Sequence, residues 1–422
     1  MRTSEATLTA RWVFPVEGPP IEHGCVTIDH GRVAWVGRAS ERSSDLDLGN
    51  AAITPGFVNA HTHLELSALG SDGRDGTKAA CDEIDWLRRV VEQRRGGGRE
   101  ALLTASRRNA AASVAAGTTM VADTTTAGAS WEAVGSSPLR AVVFAEMIGL
   151  RRGRGLETSQ EAWDWIGGVK PEDQVASCAR PGLSPHAPYS TAGWLYYQAA
   201  HSGLPLSTHL AEMPEEIELL RDRGGRLRGF LEELGAWDEG WEPISARPAE
   251  YVRRGELREA DWLIAHGTYL DESDFWQFRP EAAVNGHRVA IAYCPRTHAR
   301  FGHASHPYRE LLSRGVIVCL GTDSLASSPS LSILDEARFL RRGDATLGGP
   351  LILTMATLFG AWALRADAVT GSLKPGKSAD LAVVALPDLD DEDPYALLLD
   401  SDLPVVASVF EGKFTSGPWS LD

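Results

Sequence analysis

Four places in the 422-residue chain carry side chains that bind metals and move protons: His61-Thr62-His63, His209 with Glu212 three positions on, His266, and Asp323 in Gly321-Thr322-Asp323-Ser324. Along a strand, residues two apart share a face, so both imidazoles of the H-x-H can turn to one side and share an ion. With a third imidazole and the Asp323 carboxylate they make an N3O donor set. Such a set suits Zn²⁺ or another divalent transition metal and leaves a position for water. Burying these groups together without a shared ion would be costly.

Such donors meet only if separate elements bring them to one place. From about residue 53 to 370 the sequence alternates short β-branched runs, ending in polar residues, with longer helix-compatible stretches, the pattern of parallel βαβ units. Eight runs can be counted: AITPGFVNAHTH, TTMVADTTT, AVVFAEMIGL, PGLSPHAPYS, LPLSTHLAE, WLIAHGTYL, VAIAYCPRTH and VIVCLGTDS. Eight successive units without a dinucleotide fingerprint predict a closed (β/α)8 TIM barrel rather than an open sheet. His61, His209, His266 and Asp323 then sit at strand C-termini, where barrel enzymes place their sites.

Both chain ends read differently. TLTARWVFPV (7–16) and GCVTIDHGRVAWVGRA (24–39) alternate apolar and polar positions, with a turn at His30-Gly31; DLAVVALP (380–387) and VVASVFEGKFTSG (405–417) are also β-rich. The expected organisation is a small β-sandwich domain built from residues 1–53 and 371–422 around a barrel spanning 54–370. The 213–258 segment, long for a connection after the fifth strand, fits either a substrate lid or an extra helical pair on the rim.

Composition narrows the partners. A net charge of -16 and a pI near 5.2 repel nucleic-acid phosphates and acidic membrane surfaces, and no apolar stretch is long enough to span a bilayer. The expected partner is a small-molecule substrate, with no nucleic acid and no membrane. The five cysteines are scattered and form no C-x-x-C pair, which argues for a reducing, cytoplasmic setting. A homodimer is one option for the assembly.

The motifs Pro55-Gly56-Phe57-Val58-Asn59-Ala60-His61-Thr62-His63, His209-Leu210-Ala211-Glu212, His266-Gly267, Cys294-Pro295-Arg296, Gly321-Thr322-Asp323-Ser324 and Gly371-Ser372-Leu373-Lys374-Pro375-Gly376-Lys377-Ser378-Ala379-Asp380-Leu381 occur in an order that resembles the amidohydrolase superfamily. The resemblance is to its mononuclear deaminase-like members, related to cytosine, S-adenosylhomocysteine and aminofutalosine deaminases. It implies that His61, His63, His209 and Asp323 hold one divalent ion, zinc first and iron or manganese as alternatives, while His266 hydrogen-bonds near the attacking water. It also implies the composite terminal β domain. A bound ion makes hydroxide available near neutral pH, with Asp323 accepting the proton, and Glu212 can then carry a proton to a ring nitrogen and on to the departing amine.

Dihydropyrimidinase-like relatives bridge two metals through a lysine on the fourth strand, but PGLSPHAPYS offers His186 instead, favouring a mononuclear centre. The H-x-E…P-C-x-x-C zinc signature of cytidine deaminases is absent. His186 and Arg296 are expected to bind substrate. Cys294-Pro295-Arg296-Thr297-His298 departs from the Cys-Pro-x-Ser-Asn form common in relatives, which leaves the substrate preference open. The expected reaction is hydrolytic deamination of an aminopurine or adenosine-like nucleoside of the aminofutalosine, S-adenosylhomocysteine or methylthioadenosine type. A triazine chlorohydrolase-like or imidazolonepropionase-like reaction is the alternative.

Overall fold

The computed structural model describes residues 5–67, 82–170, 178–280, 284–390 and 393–420. Sixteen strands in it form two sheets of eight. The first sheet takes β1 (Glu5–Val13), β2 (Ile21–Asp29), β3 (Arg32–Arg38), β4 (Leu46–Asp47) and β5 (Ala51–Pro55) from one end of the chain. From the other end it takes β14 (Leu381–Ala385), β15 (Val405–Phe410) and β16 (Lys413–Ser416). The two ends join where β14 runs antiparallel to β5, and the sheet has its own core around Leu8, Val26, Ile53, Leu381 and Val409. His30 and Gly31 both have positive φ, 47° and 75°, which a two-residue turn between right-twisting strands requires.

The second sheet is the barrel, all parallel: β6 (Phe57–Thr62), β7 (Thr118–Thr125), β8 (Arg140–Met147), β9 (Ala179–Pro185), β10 (Leu206–Leu210), β11 (Trp262–His266), β12 (Val289–Tyr293) and β13 (Ile317–Leu320). It closes through a bridge between Thr62 and Asp323, with the Thr322 and Asp323 N–H groups both donating to the His61 carbonyl, at 3.1 and 3.0 Å. The barrel strands are buried almost throughout because helices cover their outer faces, which is why the runs read as apolar rather than alternating. The first run, AITPGFVNAHTH, supplies two strands. Its first half completes the terminal sheet and its second opens the barrel, with Gly56 between them.

The 213–258 segment folds into helices Pro214–Asp222 and Gly225–Glu233, with a short turn of helix at Glu250–Arg253. Leu219, Leu220, Leu227, Phe230 and Leu231 bury their apolar faces, along with Trp237 and Trp241, so the rim-helix alternative describes it. Among the described residues no helix is long and apolar enough to cross a membrane.

Candidate active site

The strand C-termini converge on a buried histidine cluster. One ligand atom each from His61, His63 and His209 lies within 4.8 Å of the others. Asp323 Oδ1 is 3.8 Å from His61 Nε2 and 3.7 Å from His63 Nε2. Gly321 allows this closeness, because a Cβ there would stand 2.9 Å from the Cβ of His61. Asn59 fixes the seam: its amide donates to Thr322 Oγ1 at 2.8 Å and its carbonyl accepts the Thr322 N–H at 3.1 Å.

The imidazoles are preset for coordination. The Nδ1 of His63 lies 3.0 Å from the Thr124 carbonyl and that of His209 lies 2.9 Å from the His186 carbonyl. A carbonyl only accepts, so each Nδ1 carries the proton and each Nε2 presents a lone pair. Those two Nε2 atoms are 3.1 Å apart, and His61 Nε2 is buried without a hydrogen-bond partner. Lone pairs packed this way repel unless a cation lies between them, and two nitrogens on one tetrahedral zinc would be about 3.4 Å apart. Burial holds all three rings below the usual histidine range, hence neutral as ligation requires. The donor set therefore fits one divalent ion.

Two polar groups stand over this set. His266 lies with its ring 5.3 Å from that of His61 and 5.5 Å from that of His209. In the β10–β11 register Ala265 is opposite His209, so strict alternation would send His266 to the other face. Its φ of +70° breaks the alternation and turns the ring inward; Asp323, three residues beyond β13, has a φ of +57°. The His266 carbonyl accepts from the buried His306 ring at 2.8 Å. Glu212 Oε1 is 3.2 Å from His266 Nε2, and burial together with neighbouring carboxylates pushes its carboxyl well above the usual range. Its backbone N–H is held by Glu216 Oε2 at 3.1 Å.

His186, after β9, lies with its ring 4.7 Å from that of His209 and with Nδ1 2.7 Å from Ser190 Oγ. Arg296 turns elsewhere: Nε donates to Glu336 Oε1 at 2.7 Å, and Nη2 donates to the Ser330 carbonyl and hydroxyl at 2.9 and 3.0 Å. Its guanidinium is thus engaged by the chain itself. Arg151 donates to the Trp237 carbonyl at 2.8 Å, and Arg154 pairs with Glu157 on the surface.

The structure adds residues that the motifs did not single out. Glu65 accepts from the Thr125 and Thr126 hydroxyls and the Thr126 N–H at 2.6, 2.9 and 3.0 Å. Arg94, on the helix Glu83–Ala115, bridges Glu65 at 3.2 Å and Glu146 at 2.8 Å. Glu146, the penultimate residue of β8, lies 3.9 Å from His186 Nε2. Two signals pointed to these acids: Glu65 continues the two-residue period of His61 and His63, and Glu146 is a lone acid in the buried run AVVFAEM. Arg94 gave no comparable signal.

Known proteins share this architecture. The chain is similar to the 5-methylthioadenosine/S-adenosylhomocysteine deaminase of Moorella thermoacetica, 29% identical over 398 residues that cover 88% of this chain and 83% of that protein. The enzyme of the same name from Pelotomaculum thermopropionicum is 30% identical over 351 residues, covering 78% and 71%. Among solved structures, a Xanthomonas campestris adenosine deaminase with bound zinc superposes with a TM-score of 0.78 at 22% identity, covering 99% of this chain and 94% of that one. Helicobacter pylori aminofutalosine deaminase gives 0.78 at 22%, covering 97% and 100%. The sequence profile of the amidohydrolase family matches residues 52–415, from the last strand of the first β segment to the final hairpin, and the chain belongs to that family.

Proposed function

We propose that the protein is a metal-dependent hydrolytic deaminase of an adenosine-like nucleoside, exchanging a ring amino group for oxygen with release of ammonia. The observation that carries this reading is the pairing of Glu212 with His266, 3.2 Å apart, over a donor set shaped for one divalent ion. His61, His63, His209 and Asp323 hold that ion, zinc before iron or manganese, as the zinc in the Xanthomonas structure suggests. When bound, it lowers the pKa of water towards about 7.

Asp323 accepts the proton released as water attacks the ring carbon, and His266 orients that water. Glu212, kept in its acid form by burial, gives its proton to the adjacent ring nitrogen. The proton on Asp323 passes to the amine, which leaves as ammonia, and Glu212 regains a proton from the new hydroxyl as the carbonyl forms. His186 faces the substrate, whereas Arg296 acts only through its hold on Glu336 and Ser330. The barrel of 54–370 carries the chemistry, and the sheet from 1–53 and 371–422 braces it. The buried cysteines Cys25, Cys294 and Cys319 fit a reducing, cytoplasmic setting.

The test is ammonia release by metal-loaded protein across adenosine, 5-methylthioadenosine, S-adenosylhomocysteine, aminofutalosine and the free bases adenine, guanine and cytosine. Turnover of a nucleoside is expected. Silence on every amino-heterocycle, or chloride release from a chlorotriazine in its place, overturns the reading.

A further inference from the structure

The 33-residue helix Glu83–Ala115 is two helices joined at Gly98, whose φ of 63° and ψ of 172° lie in a region that only glycine enters readily. Gly96 and Gly97 stand just before the break. A side chain at Gly96 or Gly98 would meet nothing within 4 Å, and one at Gly97 only the Ala101 Cβ at 3.3 Å, so no close packing calls for glycine here. Glycine is the weakest helix former after proline. What three in succession supply is backbone freedom.

The two halves are held differently. Residues 99–115 lie against the barrel wall, where Ala110 and Val114 join the core of Val121 and Val143 and the Asn109 amide donates to the Leu64 and Leu66 carbonyls at 2.8 and 3.2 Å. Residues 83–97 cross the barrel mouth instead. Trp86 and Val90 pack with Leu66, Phe301 and Ala326 in a small cluster of their own, and the Trp86 indole donates to the Ala326 carbonyl at 2.9 Å. Arg94 spans Glu65 and Glu146, Glu83 Oε2 lies 3.3 Å from His303 Nε2, and Arg88 pairs with Glu233 at 2.9 Å. These partners stand at or beyond the C-terminal ends of β6, β8, β10, β12 and β13, so the half-helix straddles the mouth. Beneath it the catalytic groups are shut in: His61, His63, His209, Glu212, His266 and Asp323 are each between 1% and 6% exposed. A substrate reaches them only after something above them moves.

We propose that residues 83–97 are a lid, hinged at Gly96–Gly98, that swings off the barrel mouth to admit substrate and release product. A small apolar cluster and ion pairs at the rim give way more easily than the barrel core, and the glycines take up the change in backbone angles. Lifting the lid wets Arg94, Glu65 and Glu146 together, so none of the three charges is left buried alone. Helix 99–115 stays in place. The lid rests on where the site lies and not on which reaction the site performs.

Val90→Cys places a thiol on the buried inner face of the lid, and its alkylation by a maleimide, resolved peptide by peptide in a mass spectrometer, reads opening without substrate. In metal-loaded protein this thiol should label at least about tenfold faster than Cys319, which is fully buried in the barrel and exposed only by unfolding. Adding Gly96→Ala and Gly97→Ala, which narrows the hinge, should slow both that labelling and the stripping of bound metal by a chelator by at least about fivefold, the effect of one glycine-to-alanine change on a backbone equilibrium. Gly98→Ala, which cannot hold the closed backbone, should speed both. If Val90→Cys does not fold, Ala326→Cys reads the same opening from the barrel side. Labelling no faster than at Cys319, labelling that ignores the hinge variants, or labelling that changes while metal stripping does not, overturns the proposal. Labelling that follows the hinge in protein that releases no ammonia sinks the deaminase reading and leaves the lid standing.

Discussion

His63 and His209 face each other through their Nε2 atoms at 3.1 Å, while each Nδ1 is tied to a main-chain carbonyl. Neither ring can flip to relieve the contact without abandoning that carbonyl, so a cation is the group that makes the arrangement favourable. His63→Ala and His209→Ala should each drop metal content, measured by elemental analysis, by at least about tenfold, as loss of one of a few ligands does. Saturating metal should raise the melting temperature of wild type, with about 4 kcal/mol available at a thousandfold excess over Kd, and leave both variants unmoved. Full metal occupancy in either variant would remove the basis for this donor set.

Glu212 pairs with His266, which lies outside the set of four ligands. Glu212→Gln should therefore keep the ion and lose kcat by about 10²–10⁴-fold, the usual worth of a positioned acid. His61→Ala should lose both. Parallel metal loss in the two variants contradicts the separation of roles.

Asp123, on β7, accepts the Leu64 N–H at 2.7 Å through Oδ1 and is fully buried. Burial pushes its carboxyl up to about 8, so between the ordinary aspartate range and pH 8 the folded protein holds a proton that the unfolded chain has released. This contribution to stability is complete below that window and is lost as pH rises through it, by about 1.4 kcal/mol per pH unit of difference at most. Asp123→Asn keeps the acceptor for Leu64 and removes the charge. Its stability in urea should fall less than that of wild type between pH 5 and 8, and parallel pH curves would refute the assignment.

How much of this the sequence disclosed follows from what a linear pattern can encode. The barrel was legible because its strands repeat as apolar runs, and His61, His63, His209 and Asp323 were legible because strand ends in a barrel share one mouth. Glu65 needed only one more step of the same alternation. Glu83 and Arg94 were not legible: each acts on groups from other elements, and nothing in EIDWLRRVVEQRR tells an inward charge from a solvated one. Arg296 shows the converse. Its place at the end of the seventh run pointed to substrate, yet its carboxylate partner Glu336 lies forty residues further on. His266 occupies the wrong parity for an inward side chain and is recovered by a left-handed backbone, which periodicity does not foresee.

Arg94 is the cation between Glu65 and Glu146, and its side chain is mostly buried. Removing one member of such a group leaves charge without compensation, which costs about 3–5 kcal/mol, whereas removing charges together costs much less. Arg94→Met should lower the unfolding free energy by that amount. Adding Glu146→Gln should recover part of it, because only Glu65 then remains to be held, by the Thr125 and Thr126 hydroxyls and the Thr126 N–H. Glu146 is also 3.9 Å from His186, so the double variant should regain stability while KM stays high if that ring meets the substrate. Chemical denaturation and steady-state kinetics on the same preparations separate the two effects; strictly additive losses in stability would show that Arg94 and Glu146 do not act as a pair.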